Sequence, residues 1–414
     1  MIGEEYIPRL VDAVLDEVLS ELPAIMLTGP RGCGKTTTAL RRASSTLRLD
    51  VPGQAAAFSG APDEVLAAMP TPVLIDEWQS EPASLGAVKR AVDAGGGPGR
   101  FLITGSVRSR LSTATWPGTG RITPVPMYGL TQGELEERPH ITRVVADLFG
   151  PDDPALGMLD DAPGLVDYVT MAARGGFPEA IRLSPGGRRR WYEGYIEHLV
   201  HRDAQELQTV RAPGLLLKLL RAAAFNTAGL PALQSLAQHT QVDHRTAKAH
   251  LELLEELRII DRVPAWGSNR LNRAVKASKL YLTDPGMALH LMGDDPQGLL
   301  LDANRLGRIV ETFVLAQLRP LLRPDVQALH FRDANGHREV DLVLESTAGR
   351  IVGVEIKAAS TATKQDARHL AWLRDQLGEQ FVRGVVLHTG PMTLPLGDRL
   401  WAMPIARLWR SPMG

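Results

Sequence analysis

The first 130 residues or so alternate short apolar runs with amphipathic helical patterns. Apolar runs that end in polar or glycine-rich residues are typical of buried strands, and they occur at Ile25–Leu27, Val73–Ile75 and Phe101–Ile103. Between them, helical patterns span about Lys35–Ala43 and Leu85–Val92. Strands that alternate with helices in this way predict a parallel sheet with helices on its faces.

Beyond Gly129 the pattern becomes helical, and loop-forming Pro, Gly and Asp residues punctuate it at 150–154 and 185–187. One long helix is predicted over Arg188–Leu207. We interpret this stretch as a helical lid or linker that follows the sheet domain.

The pattern that follows is typical of a winged helix. Helical segments at Pro213–Asn226 and Leu233–His239 precede a third helix, for which Asp243 is a favourable N-cap. Ile259–Val263 and Leu280–Leu282 then predict the two strands of a small wing.

The C-terminal part predicts a small α/β sheet. Helical patterns span Gly307–Leu318 and Lys364–Leu377. The predicted strands are Ala328–Arg332, Glu339–Leu344, Ile351–Ile356, Gly384–His388 and Trp401–Leu408.

Composition narrows the class of protein. Of 414 residues, 44% are apolar and 22% are charged, which is typical of a globular protein of several domains. No apolar run approaches the roughly 18 residues that cross a bilayer, and the N-terminus lacks the features of a signal peptide. With Cys33 as its single cysteine, the chain can form no intrachain disulfide. We therefore expect a cytoplasmic protein without a membrane partner.

A net charge of −1 does not indicate a nucleic-acid partner, so any such surface must be local. Val263–Thr283 has no acidic residue, and on the third helix of the winged-helix pattern several cations face outward, although the acidic residues of its C-terminal half would repel DNA. We predict nucleic-acid contact here, with DNA favoured over RNA, and docking of a protein stays open as the alternative. The cations of the helix are His244, Arg245 and Lys248, and its acidic residues are Glu252, Glu255 and Glu256. The cations of Val263–Thr283 are Arg270, Arg273, Lys276 and Lys279.

The run from Gly29 to Thr36, Gly-Pro-Arg-Gly-Cys-Gly-Lys-Thr, matches the phosphate-loop (P-loop) pattern in full, and it follows an apolar strand and opens a helix. Glycines let backbone N–H groups turn toward phosphates, Lys35 is expected to neutralise the β and γ phosphates, and Thr36 to ligate magnesium. ATP and Mg²⁺ are therefore the expected cofactors. The residues expected to bind them here are Gly29, Pro30, Arg31, Gly32, Cys33, Gly34, Lys35, Thr36 and Thr37.

Val73–Ile75 runs directly into Asp76 and Glu77, which is the Walker B arrangement. Asp76 is expected to hold the magnesium through water, and Glu77 to orient and deprotonate the attacking water, so that ATP is hydrolysed. The adjacent strand ends in Thr104 and Ser106, either of which can act as a polar sensor between Walker B and the γ-phosphate.

An arginine that reaches the γ-phosphate from a neighbouring subunit is a common part of such sites. Arg121 is the candidate for this catalytic role, with Arg108 and Arg110 behind it. The expectation of a homo-oligomer rests on Arg121.

Carboxylates and a lysine recur in the C-terminal sheet. Asp341 lies near the start of one predicted strand, and Glu355 and Lys357 close the next, sharing a face because strand periodicity is two. Asp341 and Glu355 can hold magnesium, and Lys357 can orient a water, which is nuclease chemistry. Glu311 lies in an otherwise apolar helical stripe, so we expect a metal or Lys357 to pair with it. The alternative is a sheet that keeps the acidic–basic pair but no longer cuts anything.

These motifs together resemble a family of prokaryotic AAA-type ATPases that carry a C-terminal domain of unknown function with a PD-(D/E)XK-like nuclease core. The phosphate loop is specific, and the other segments are individually weak but follow the family's order. They are Tyr6–Arg9, Gly29–Thr36, Leu74–Glu77 with Gln79, Thr104–Ser106, Gly120–Ile122, Gly175–Glu179, Arg202–Asp203, Lys279–Tyr281, Gly307–Glu311, Arg332–Asp333, Glu339–Asp341 and Glu355–Lys357.

The resemblance implies an α/β architecture in which an AAA-type P-loop core (residues 1–130) is followed by a helical lid (131–212), a winged helix (213–298) and a restriction-endonuclease-like domain (299–414). One hypothesis is then an ATP-powered enzyme that processes DNA. The other is a nucleotide-dependent switch or scaffold whose C-terminal domain serves only for docking.

Overall fold

A computed structural model describes residues 6–105, 119–137, 143–203, 213–267 and 277–410 of the chain, without the side chains of residues 202 and 203. The chain divides into two compact units. The first contains the residues up to Tyr128 together with Glu256–Arg258, and the second contains Gly129–Glu255 and the residues from Ile259 onward.

The first unit is built on a parallel sheet of five strands in the order β2-β3-β4-β1-β5. The expected strands β1, β3 and β4 are the three at its centre. Two short strands that the apolar pattern did not reveal, β2 and β5, form its edges. The strands are β1 Ala24–Thr28, β2 Ser45–Arg48, β3 Val73–Asp76, β4 Phe101–Thr104 and β5 Thr123–Pro126.

Helices cover both faces of this sheet because successive residues of a buried strand point to opposite sides. Ile25 and Leu27 of β1 pack with Leu15, whereas Met26 packs with Phe58 on the other face. The helices of this unit are α1 Leu10–Glu21, α2 Lys35–Leu40, α3 Pro52–Gly60, α4 Pro62–Ala68 and α5 Ser84–Asp93.

The second unit begins with short helices, as the sequence pattern indicated. The long helix expected over Arg188–Leu207 is different in the structure, because its α-helical part ends at His198 and a π-helical turn follows over Leu199–Asp203. The α-helices are α6 Gln132–Leu135, α7 Val144–Leu148, α8 Leu165–Arg174, α9 Pro178–Ile181 and α10 Pro185–His198.

Three helices and an antiparallel two-stranded hairpin come next, at the positions where the winged-helix pattern was predicted. Asp243 caps the third helix as expected, since its Oδ1 accepts the backbone N–H groups of Arg245 at 3.0 Å and Thr246 at 3.1 Å. The elements are α11 Pro213–Phe225, α12 Leu233–Thr240, α13 His244–Glu256, β7 Ile260–Val263 and β8 Lys279–Leu282.

A mixed sheet of seven strands, in the order β6-β13-β14-β12-β11-β10-β9, completes this unit. Strands β9, β10 and β11 are antiparallel, and β12 is parallel to both β11 and β14. The strands are β6 Gly157–Met158, β9 Val326–Arg332, β10 Glu339–Ser346, β11 Ile351–Lys357, β12 Phe381–His388, β13 Met392–Gly397 and β14 Leu400–Pro404. The helices are α14 Pro285–Met292, α15 Pro296–Leu300, α16 Ala303–Leu318 and α17 Arg368–Leu377.

The predicted strand Trp401–Leu408 is only partly a strand, since it becomes a 3₁₀ turn at Ile405–Leu408. None of the helices in the described part of the chain is long and apolar enough to cross a membrane.

Candidate functional site

The predicted phosphate loop connects β1 to α2 at the centre of the first sheet. Gly32 and Gly34 have φ angles of 78° and 100°, which glycine adopts without strain. A Cβ on Gly29 would lie 2.1 Å from the carbonyl oxygen of Met127, so only glycine fits there. The first N–H groups of α2 have no partner within the helix, and Gly34 at the N-cap has no side chain to offer them. They are thus available to an anion.

Lys35 begins α2, and its ammonium group bends back onto the loop. Its Nζ donates to the carbonyl oxygens of Gly29 at 3.0 Å and Pro30 at 2.8 Å, and the side chain is buried. These two bonds keep the charge of Lys35 inside the curve of the loop, next to carbonyl oxygens that an anion can replace.

Asp76, at the end of β3, forms hydrogen bonds with two other predicted site residues. Its Oδ1 accepts the hydroxyl of Thr36 at 2.8 Å and that of Thr104 at 2.5 Å, and the carboxylate is buried. The oxygens of Thr36 and Asp76 are ligands that Mg²⁺ prefers, and the hydroxyls leave the carboxylate's negative charge unbalanced. This donor set fits a magnesium ion.

Glu77 follows Asp76 in a left-handed conformation, with φ of 55°. This backbone turn ends the strand and directs Glu77 toward Gln79, whose Nε2 donates to Glu77 Oε2. A Cβ on Gly105 would lie 2.4 Å from Gln79 Oε1 and 2.5 Å from Trp78 Cδ1, so the absence of a side chain at Gly105 is what makes room for this arrangement. Gln79 is a site residue to which the sequence analysis gave no role of its own.

The segment before α1 is a second part that the sequence analysis did not place at the site. Arg9, which is buried, donates from Nη1 to the carbonyl oxygen of Cys33 at 2.9 Å and from Nη2 to that of Tyr128 at 2.7 Å. The Tyr6 hydroxyl donates to Asp12 Oδ1 at 2.8 Å and lies 3.2 Å from the hydroxyl of Thr38 on α2. The phosphate loop is therefore held from outside by the chain's own N-terminal segment.

The remaining candidates of this unit lie elsewhere or outside the described residues. Arg121 is half exposed and pairs with Asp93 at 2.8 Å, an intrachain contact that leaves its proposed action on a neighbouring subunit a prediction. Thr37 is exposed on α2, and Cys33, within the loop, is buried. Ser106, Arg108 and Arg110 are not among the described residues.

In the C-terminal domain, three carboxylates surround a lysine that sequence reasoning had assigned to another role. The Nζ of Lys279, on β8, lies 2.7 Å from Glu311 Oε1 and 3.2 Å from both Glu339 Oε1 and Asp341 Oδ1. Lys279 is 2% exposed, so its expected contribution to a phosphate-binding surface is wrong. The other three cations of that run, Arg270, Arg273 and Lys276, lie outside the described residues.

The expected partner of Glu311 was a metal or Lys357, and the structure pairs it with Lys279 and Tyr281 instead. The Tyr281 hydroxyl donates to Glu311 Oε1 at 2.5 Å. Lys357 binds Glu355 Oε1 at 2.7 Å, which agrees with their predicted shared face. Glu355 Oε2 is buried, and none of the described residues forms a hydrogen bond with it. Glu311 on α16 pairs with Lys279 because β8 places that lysine next to α16. Lys357 on β11 pairs instead with Glu355 of the same strand.

Electrostatics in this cluster raise the pKa of two glutamates and keep the lysine charged. Burial, reinforced by the charge of Asp341, raises the pKa of Glu311 to about 7 and that of Glu355 to about 8. Burial lowers the pKa of Lys279, but the charges of Asp341 and Glu311 outweigh this effect and hold it well above its usual value.

A divalent ion does not fit this cluster as it stands. The ammonium group of Lys279 already lies against Asp341 and Glu311, and the second oxygen of Asp341 accepts the N–H of Ile356 at 2.9 Å. Among the described residues, no group of three or more His, Cys, Asp and Glu side chains is placed to hold a metal. Metal binding by Asp341 and Glu355 stays a prediction without support from the geometry.

The outward-facing cations of α13 are at the surface as expected. His244, Arg245 and Lys248 are exposed, and Lys248 lies 3.9 Å from Glu252 one helical turn later. Glu255 pairs with Arg262 of the hairpin. The contact of this helix with nucleic acid stays a prediction.

Comparison with known proteins identifies the type of the first domain. Residues 21–136 match the model of an AAA domain, residues 165–298 match a domain of unknown function (DUF8612), and residues 306–408 match another (DUF4143). The P-loop domain is thus of the AAA type. The matches to the other two regions carry no activity with them.

Two relatives cover almost the whole chain. Uncharacterized proteins of Mycobacterium tuberculosis and Mycobacterium bovis are each 28% identical over 405 residues, which span 95% of this chain and 82% of theirs. Among solved structures, a RuvB variant from Thermotoga maritima matches with a TM-score of 0.25 and 18% identity, covering 61% of this chain and 89% of RuvB. At that score the RuvB match supports no argument.

Proposed function

We propose that the N-terminal domain binds Mg²⁺–ATP and hydrolyses it. The observation that carries this proposal is the contact between Thr36 and Asp76, which joins the end of the phosphate loop to the end of β3.

In the proposed reaction the loop binds the phosphates through its N–H groups, and Lys35 moves from the carbonyls of Gly29 and Pro30 to the β and γ phosphates. Magnesium, held by Thr36 and through water by Asp76, would neutralise charge on the phosphate oxygens. Glu77 takes a proton from the attacking water, and Thr104 keeps Asp76 oriented. The contact between Gln79 and Glu77 positions that base.

The test is Glu77→Gln, which keeps the shape of the side chain and removes its basicity. We expect ATP turnover to fall about 100-fold or more while calorimetry finds nucleotide affinity within a few-fold of the unaltered protein. Glu81→Gln, a nearby acidic position, is the matched control and should leave turnover unchanged. Turnover that survives Glu77→Gln would remove Glu77 from the reaction, and failure to bind ATP at all would remove the proposal.

For the whole chain we propose a nucleotide-dependent switch in which the DUF4143 region, although nuclease-like in its residue pattern, does not cut. Lys279 among the carboxylates favours this reading over a DNA-processing nuclease. Both readings keep the proposed division into P-loop core, lid, winged helix and C-terminal domain.

A cleavage assay separates the two readings. The protein is incubated with single- and double-stranded DNA and RNA, with Mg²⁺ or Mn²⁺ and with and without ATP, beside Glu355→Ala and Lys35→Ala. We expect ATP turnover without cleavage. Cleavage that Glu355→Ala abolishes and Lys35→Ala does not would make the C-terminal domain a nuclease and overturn the switch.

A further inference from the structure

A cavity of about 440 Å³ lies between the C-terminal sheet and the segment Val144–Ala155, which we call the strap. The floor is apolar and includes Val354, Val385 and Met403 from three adjacent strands. Arg383, which is buried, anchors the strap by donating to the carbonyl oxygens of Asp147 at 2.8 Å and Asp152 at 2.5 Å.

Arg407 lines this cavity and is poorly satisfied. Its side chain is buried, with 6% exposed. Its hydrogen bond runs from Nη2 to the carbonyl oxygen of Ala155 at a long 3.4 Å, while Nε is buried without a partner in the described part of the chain. Thr393, also lining the cavity, is fully buried and its hydroxyl likewise has no partner there.

Two of the other arginines that line the cavity, Arg383 and Arg410, have short hydrogen bonds or an acidic partner. Arg410 binds Glu136 at 2.8 Å, and Arg383 has the strap's carbonyls and lies in the field of its three aspartates, which also line the cavity. For Arg407 only burial acts on the pKa, lowering it. A buried guanidinium without a counter-charge is costly, so its retention beside an open volume points to a ligand that supplies the charge.

We propose that this cavity binds a small organic anion, with its carboxylate on Arg407 and Thr393 and its apolar body on the strand residues of the floor. The volume lies within the roughly 300–1,000 Å³ of ligand sites, and an apolar wall with a few buried polar groups is their usual make-up. A carboxylate and a guanidinium form paired hydrogen bonds, which makes Arg407 a specific anchor.

Octanoate and octan-1-ol, tested on the full chain by thermal shift and calorimetry, distinguish an anion site from an apolar void. They share one apolar body and differ in charge. We expect octanoate to bind at least tenfold more tightly than octan-1-ol, and Arg407→Met to remove that difference. Arg350→Met, at an exposed position of the same domain, should preserve it. Equal binding of the two compounds, or a preference for octanoate that survives Arg407→Met, would overturn the proposal.

The ligand-free protein offers a second readout that does not depend on the choice of probe. Without a bound anion, the buried charge of Arg407 should destabilise the protein. Arg407→Met should therefore melt at a higher temperature than the unaltered protein when no anion is present. A lower melting temperature, with an unchanged circular dichroism spectrum, would show that the guanidinium serves the fold itself and would contradict the proposal.

Discussion

The two carboxylate sites of this chain differ in whether the negative charge of the carboxylates is balanced. In the P-loop domain, Asp76 accepts hydroxyl groups from Thr36 and Thr104, which orient it without cancelling its charge. In the C-terminal domain, Asp341 and Glu311 face the ammonium group of Lys279, which cancels theirs. Neutral donors prepare a carboxylate to attract a cation, whereas an internal lysine takes the cation's place.

The position of each lysine follows the same contrast. Lys35 is held by two carbonyl oxygens, which are neutral and can be exchanged for phosphate. Lys279 is held by charged partners and is almost fully buried, so displacing it would leave acids without a counter-charge. Three substitutions test this contrast, ordered by the size of the expected effect, and a change of pH follows them.

The largest effect is expected from Lys279→Met, which removes the charge and keeps much of the volume. We expect a loss of about 3–5 kcal/mol in the free energy of unfolding, because the buried partners lose their counter-charge. Denaturant unfolding measures it, and adding Glu311→Gln should restore part of the loss. If Lys279→Met is as stable as the unaltered protein, the lysine does not lock the cluster.

The same Lys279→Met protein sharpens the comparison in a second way. The measurement is made in proteins that also carry Lys35→Ala, which blocks the ATP site. With the ammonium group of Lys279 gone, calorimetry should detect Mn²⁺ binding to the C-terminal domain. The protein that keeps Lys279 should show no such binding. Mn²⁺ binding of equal strength with and without Lys279 would mean that the lysine and the metal do not compete.

Lys35→Ala should have the next largest effect. We expect ATP turnover to fall about 100- to 1,000-fold, since one preorganised charge on the transferred phosphoryl group is lost. Unfolding should change little, because its partners are loop carbonyls that water can satisfy. Lys89→Ala, at an exposed position paired with Asp93, is the control. A phosphate-release assay measures the ATP turnover of both variants.

Thr104→Val should have a moderate effect, because the shape is kept while the hydroxyl bonded to Asp76 is lost. We expect turnover to fall roughly tenfold, the value of a hydrogen bond worth about 1.4 kcal/mol, with an increased Mg²⁺ concentration at half-maximal rate. A magnesium titration that matches the unaltered protein would show that Thr104 does not orient Asp76.

The last test changes the pH instead of a residue, and its effect accumulates gradually over several pH units. The folded-state pKa values of Glu311 and Glu355, about 7 and about 8, lie above those of an unfolded chain, so folding favours their protonated forms. Their stabilising effect is present below about pH 4.5 and is lost as pH rises through 7 and 8. The free energy of unfolding should therefore decline from about pH 4.5 up to pH 7 for Glu311 and up to pH 8 for Glu355. The decline is at most about 1.4 kcal/mol per pH unit for each group. Glu355→Gln should flatten the upper part, and an unchanged slope in unfolding curves would contradict the assignment.

Much of the first sheet could be predicted from local pattern, because its central strands are uniformly apolar and the loop between β1 and α2 has a fixed spacing of glycines. The edge strands β2 and β5 could not, since Ser45–Arg48 and Thr123–Pro126 are short and largely polar or proline-containing. Edge strands contribute one paired side to a sheet, so their sequences are less constrained.

The sites show the same limit. Asp76 ends its strand and Glu77 follows it, so both were found by position. Lys279, in contrast, lies 62 residues from Asp341, and only the fold brings the two together. The lack of acidic residues over Val263–Thr283 suggested a cationic surface, but Lys279 of β8 is buried in the structure. Burial of a charge can be inferred only once its partners are known.

Arg9 bears on how this domain can be isolated for study. Any shortened version that starts at β1, with Ala24 as its first ordered residue, discards the guanidinium that bridges Cys33 and Tyr128. Such a fragment would keep every residue of the glycine-rich motif and still have a looser loop. Expression boundaries placed ahead of Tyr6, with any affinity tag kept at the opposite end, preserve that bridge.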